Sequence, residues 1–390
     1  MWTARTVVGL NGLPKVHLSN SISKSSTDIY FFGATLTSWV DKNGTENIFV
    51  SSAALFNGVK AIRGGRKHIT SNSRLRAKVC INLDIQFLGI PVVFPQFGQP
   101  LKSMPQHGFA RTSQWTLESS SSEEGSVTVT FSLTDSDASF ALWPHRFKLE
   151  YTVMLADEYL SCSLKVRNTD YSGFAVHTLL HTYLKVPSIK DVTVKGFKNR
   201  SFVDKVDDSK VGHDTRDIAT IDGEVDRVMT GDRDSALSVT METGTGPDHK
   251  CVTVGAKAIL TDHETGENTV YPHDVVFWNP WIEKAKALAD LGDEDYTGFL
   301  CLEPGTTSEW VAVKPNDSLT LTQVLTSSRW CSAYRERTNN IYIARTTAWR
   351  LIAFESVLYE TAVLIFIRFI GLYMITMTCI CAFPGLNTKI

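Results

Sequence analysis

The feature that most constrains this chain is a succession of short segments in which apolar and polar residues alternate. SVTVTFSL (126–133), RFKLEYTVML (146–155) and YLSCSLKVRN (159–168) follow one another, separated by clusters of Asp, Ser and Pro. A period of two sends every second side chain to the same face, so each segment reads as a strand with one buried face. Upstream, YFFGATLTSWV (30–40) passes through Asp41-Lys42-Asn43-Gly44 into ENIFV (46–50), which is hairpin grammar. SLTLTQVLTSS (318–328) is the last such strand. Strands at this spacing predict an all-β sandwich, and 390 residues with 43% hydrophobic content can build one large core.

A net charge of −2 gives no reason to expect nucleic acid or an anionic membrane surface as partner. Locally the balance differs: Lys60, Arg63, Arg66, Lys67, Arg74, Arg76, Lys78, Lys102 and Arg111 share their stretch with a single acid, Asp84. Seven cysteines without a CxxC pair argue against a disulfide framework or a zinc knuckle. The N-terminus lacks the charged start and uninterrupted apolar run of a signal peptide, so the expectation is a cytoplasmic protein; a monomer is expected as well.

Chemistry concentrates between Gly89 and Arg111. Ile90, Val92, Val93 and Phe94 form an apolar run fenced by Pro91 and Pro95, which suits a strand end or edge. Gln96, Gln106, His107 and Arg111 follow, with Gly98 and Gly108 where the backbone can turn tightly. On these residues alone, an oxygen-rich anionic ligand and an ordinary loop explain the stretch equally well.

KAIRGG (60–65), IPVVFPQFG (90–98), PQHGFAR (105–111), HTLLHTYLKV (177–186), TIDGEVDRVMTG (220–231) and VVFWNPWIEKAKALADLGDEDYTGFLCLEPG (275–305) stand in one order along the chain. In these segments the chain resembles the hexose-6-phosphate mutarotases, or glucose-6-phosphate 1-epimerases, of the aldose 1-epimerase superfamily. The resemblance spans roughly residues 30–327 and implies a galactose-mutarotase-like β super-sandwich over residues 1–328. Two stretches depart from it. About two dozen residues, 66–89, separate IRGG from IPVVFP, as a lineage-specific loop or translated intron would. Residues 329–390 form an atypical extension whose apolar stretch, 361–383, is long enough to cross a bilayer but is interrupted by Arg368, so it reads as an artefactual or disordered extension, with a C-terminal membrane anchor as the alternative.

Mutarotation needs a base for the anomeric hydroxyl proton and an acid for the ring oxygen, both within reach of one sugar. The resemblance places the acid in HTY, at His181, with His177 beside it on the same strand face; without it, the two would read as packed structural histidines. The HxxxH spacing also permits a metal, but no HExxH or Cys cluster accompanies it, so no metal and no cofactor are expected. The resemblance makes Glu303 the base. Alternation puts Phe299, Cys301 and Glu303 on one face and has Glu303 emerge just before a Pro304-Gly305 turn. Arg63 and Arg111 are the implied phosphate ligands, Gln106 and His107 bind sugar or phosphate oxygens, and Asp226 accepts from sugar hydroxyls. Asp204 and Lys205 are alternatives to Asp226, with a surface salt-bridge role equally open to them. Trp278 and Trp281 offer faces for sugar CH groups, or core packing; the following IEKAKALADLGDEDY reads as a short helix and acidic loop. The expected function is anomer interconversion of a hexose 6-phosphate; a non-catalytic sugar-phosphate binding protein and a free-sugar aldose 1-epimerase are the alternatives.

Overall fold

The computed structural model describes residues 1–52, 54–55, 63–64, 89–231, 237–244, 249–288 and 291–329, with the backbone alone at 55, 63 and 64. The expectations for the 66–88 insertion, the 329–390 extension beyond Arg329 and the Arg63 side chain fall outside the described residues. Residues Met1–Arg329 form one compact unit.

The alternating segments become long strands: Ser126–Thr134, Phe147–Ala156, Leu160–Asn168 and Ser318–Ser328 lie side by side in a ten-stranded sheet. Their inward residues, among them Val127, Val129, Phe131, Leu149, Tyr151, Val153, Leu164 and Leu321, are wholly buried. Facing this layer is an eight-stranded sheet. It runs through Lys210–His213, Ser201–Asp204, Val225–Met229, Asp274–Asn279, Phe299–Val313 and Phe174–Leu180 to Val92–Val93, with Tyr183–Lys185 also on the Phe299–Val313 strand. Inward residues of both sheets join one hydrophobic core. Val92–Val93, fenced by prolines, lies at the sheet's end, where a missing N–H costs no ladder bond. A four-stranded sheet, Trp2–Val8 to Leu36–Val40, precedes these two. Asp41–Thr45 makes the anticipated turn, with Gly44 at φ 75°, although ENIFV is held by isolated bridges rather than as a strand. The helix Trp281–Ala287 and the 3-10 turn Asp295–Gly298 occupy the stretch read as helix and acidic loop. Cys162 and Cys301 are free and buried.

One local expectation is corrected. Pro304-Gly305 is not a turn: the strand continues from Phe299 to Val313, and Gly305 pairs with Asp274 on one side and Leu179 on the other. A Cβ at Gly305 would stand 2.5 Å from the Thr178 carbonyl oxygen, so the glycine is there to let two strands approach.

Candidate active site

Register in the eight-stranded sheet assembles a row. Tyr183 pairs with Cys301, Cys301 with Trp278, and Trp278 with Asp226. Directly paired residues share a face, so these four side chains project together. Glu303 lies two residues beyond Cys301 and His181 two before Tyr183, which brings both to the same side. His181 stacks on Tyr183 with centroids 4.7 Å apart and meets Trp278 edge-on at 6.1 Å. Its Nδ1 is 3.2 Å from Glu303 Oε1, close but not aligned as a hydrogen bond. Glu303 Oε2 is likewise buried without a hydrogen-bond partner, and the two residues are 1% and 4% exposed. Such unsatisfied buried groups are rare in a fold that gains nothing from them.

The loop Pro95–Arg111 forms the opposite wall. His181 and His177 donate their main-chain N–H groups to the carbonyls of Pro91 and Pro95, which ties the loop to the sheet. Gln96 is internal scaffolding, bonded to Leu101 and Pro105. His107 adopts φ 61°, an uncommon conformation for a side-chain-bearing residue, held by its N–H on the Gly98 carbonyl at 2.6 Å. Gly98 N–H donates to His107 Nδ1 at 3.1 Å and Phe97 N–H to His177 Nδ1 at 3.3 Å. An accepting Nδ1 fixes the neutral tautomer, so both imidazoles carry their proton on Nε2. The His177 ring is stacked on Trp310 at 3.9 Å, and the His107 ring stands edge-on to His181 at 5.8 Å. Arg111 is 3% exposed and gives Nη2 to the Gln106 carbonyl at 2.5 Å. Gln106 Oε1 is buried and accepts nothing.

Electrostatics follows from burial. Desolvation lowers His181 to about 3, with the Arg111 charge adding to it, and lowers His177 to about 4. His107 falls well below its ordinary range, through burial and Arg111. In the other direction, burial and the neighbouring Asp226 push Glu303 well above the usual carboxylate range, and burial raises Asp226. Perturbed groups of opposite sign in one place mark a functional site.

The structure therefore brings together His107, Arg111, His177, His181, Asp226 and Glu303. Trp278 forms a wall of the site, whereas Trp281, half-buried, packs on Tyr296 against the core. Of the two alternatives to Asp226, Asp204 is a salt-bridge residue, 2.8 Å from Arg227. Lys205 is not: its ammonium lies 3.9 Å from the centre of the Phe97 ring, on the site side. Cys301 and Tyr183 were not singled out as site residues, although the alternation that selects Glu303 also selects Cys301. His181, Cys301 and Glu303 each offer one donor atom, all within 4.8 Å of one another, a set that could seat a divalent metal. The Cys301 thiol is held well above its ordinary range by burial and by the neighbouring Glu303. A neutral thiol is a poor ligand, and a metal would have to displace that proton.

Residues 79–326 match the aldose 1-epimerase family. A protein of Cenchrus ciliaris described as "Putative glucose-6-phosphate 1-epimerase" is 29% identical over 319 residues, 79% of this chain and 82% of that protein. One of the same description from Escherichia coli is 29% identical over 278 residues, 71% of this chain and 78% of its own length. Among solved structures, "a putative mutarotase" from Salmonella typhimurium superposes with a TM-score of 0.65 at 24% identity, over 84% of this chain and 94% of that one. An aldose epimerase homologue from C. elegans gives 0.53 at 13% identity, over 84% and 99%.

Proposed function

The chain belongs to the aldose 1-epimerase family, an enzyme of the isomerase class, and within it we propose that the substrate is a hexose 6-phosphate, glucose 6-phosphate first, whose α and β anomers it interconverts. The observation that carries the mechanism is the buried His181–Glu303 pair, 3.2 Å apart and with hydrogen-bonding capacity unspent on both members. The names of the relatives and the cationic groups at the site support the phosphate.

In this reading the Glu303 carboxylate takes the anomeric hydroxyl proton while His181 delivers a proton to the ring oxygen. The C1–O5 bond breaks, the aldehyde turns about C1–C2, and reclosure on the other face runs the two transfers backward with roles exchanged. Protons balance and no electrons leave the sugar. The reacting state needs His181 protonated and Glu303 ionised, whereas burial alone favours the reverse. The pair is therefore best treated as one unit sharing one proton, with the bound sugar deciding where it sits. His107 and His177, fixed as Nε2–H donors, and Asp226 and Gln106 Oε1, as acceptors, supply complementary hydrogen bonds to ring substituents.

Magnetisation exchange between the α and β signals of glucose 6-phosphate tests this, with glucose as control. Exchange well above the buffer rate and faster for the phosphate is the expected result. Faster exchange of free glucose would transfer the assignment to a free-sugar epimerase, and binding without exchange to a sugar-phosphate binding protein.

A further inference from the structure

We propose that Lys205 is a specificity residue, the cation that reads the substrate's anionic group at this site. The inference rests on the hexose 6-phosphate reading and names a residue for it.

Lys205 sits one residue beyond the Ser201–Asp204 strand, and its N–H donates to the Asp226 carbonyl at 2.8 Å. It thus extends the cross-strand row of Tyr183, Cys301, Trp278 and Asp226 by one position. Alternation sends Asp204 to the other face, where it meets Arg227, and sends Lys205 toward the site. Neighbouring cations are paired: Arg227 with Asp204 at 2.8 Å, Arg216 with Asp214 at 2.7 Å, and Lys284 with Glu224 at 2.8 Å and Asp226 at 3.8 Å. Lys205 has no carboxylate at ion-pairing distance among the described residues. The residue is exposed, and its ammonium rests on the face of the Phe97 ring at 3.9 Å. That holds the charge in place without consuming its hydrogen-bond donors.

Arg111 fits the part less well, being nearly inaccessible and giving Nη2 to the Gln106 carbonyl. With C1 at the His181–Glu303 pair deep in the site, a group on C6 points away from the pair, where an ammonium on a flexible stem serves as a point charge for phosphate. The Lys205 charge bears on His107, His177, His181, Asp226 and Glu303. This also supplies the rival explanation, that Lys205 acts on the Glu303 carboxylate rather than on substrate.

The experiment compares wild type, Lys205→Met and Lys205→Arg by anomer exchange on glucose 6-phosphate and on glucose, with inorganic phosphate as competitor. Lys205→Met should lower kcat/KM for the phosphate by roughly 10- to 100-fold, mainly through KM, and lower that for glucose far less. Lys205→Arg should recover part of the loss, and phosphate inhibition should weaken in Lys205→Met. Equal losses on both sugars, or a kcat loss with a displaced pH profile, would overturn the proposal in favour of the Glu303 role. If wild type prefers the phosphate and Lys205→Met keeps that preference, the inference falls while the substrate reading stands. If wild type shows no preference, both fall.

Discussion

At the scale of single residues, the site is a problem in placing one proton. Glu303 is raised by burial and by Asp226, and His181 is lowered by burial and by Arg111, so neither group alone is suited to its task at neutral pH. In the proposed mechanism the pair shares one proton, and loss or gain of a proton by the pair would stop the reaction. The exchange rate should therefore follow a bell-shaped pH profile; a rate rising through neutral pH to a plateau would separate the two groups. Glu303→Gln preserves shape and removes the proton acceptor. It should cut exchange by about 10²–10⁴-fold while sugar phosphate still binds, measured by magnetisation exchange and by calorimetry. Near-normal exchange in that variant would remove Glu303 as base. That His181 and Glu303 come to one side of the sheet was legible in the sequence, because strand alternation and motif agree on their placement. Lys205 was only half legible: its neighbour Asp204 has the same look, and which of the two faces inward depends on pairing with Val225–Met229, a contact no local pattern encodes.

Elements position these residues, and here glycine separates close approach from turning. Gly305 sits in the middle of a strand with the Thr178 carbonyl 2.5 Å from where a Cβ would be, whereas Gly98 has nothing within 4 Å but a φ of 66°. Gly305→Ala should force the central strands apart next to Glu303, costing roughly 1–3 kcal/mol and disturbing catalysis. Gly98→Ala meets only backbone strain, about 1 kcal/mol, in a loop wall. Urea midpoints of the two variants, read beside their exchange rates, check the contrast; equal stability losses would contradict it. The strands at 126–134, 147–156, 160–168 and 318–328 were readable because each has one face in the core and one in water. The Phe299–Val313 strand was misjudged at Pro304-Gly305 because a strand buried on both faces loses its alternation, leaving turn-type residues as the loudest local signal.

For the whole molecule, the sandwich was legible from repeated alternation, while the pairing order that joins residues 92, 177, 226, 277 and 303 in one sheet was not, since it depends on contacts distant in sequence. That sheet and the Pro95–Arg111 loop bury His177 and His107 as neutral rings, and this couples the site to global stability. An unfolded histidine titrates near 6.5. His177 in the fold does so at about 4, so between those values the unfolded chain binds a proton that the folded chain refuses. Stability must then fall as pH drops through that window. The groups facing His177 make the sign specific: burial and Lys205 resist its protonation, Asp274 favours it, and a protonated Nδ1 would lose the Phe97 N–H bond. Glu303 and Asp226, with raised values, contribute oppositely, stabilising at low pH and less as pH rises, so the wild-type curve alone mixes both signs. The difference between wild type and His177→Gln isolates one of them. Glutamine does not titrate, so the wild-type advantage in urea unfolding should shrink by roughly 3 kcal/mol between pH 7 and pH 4. A difference that stays constant with pH would mean that His177 titrates in the fold as it does in the open chain.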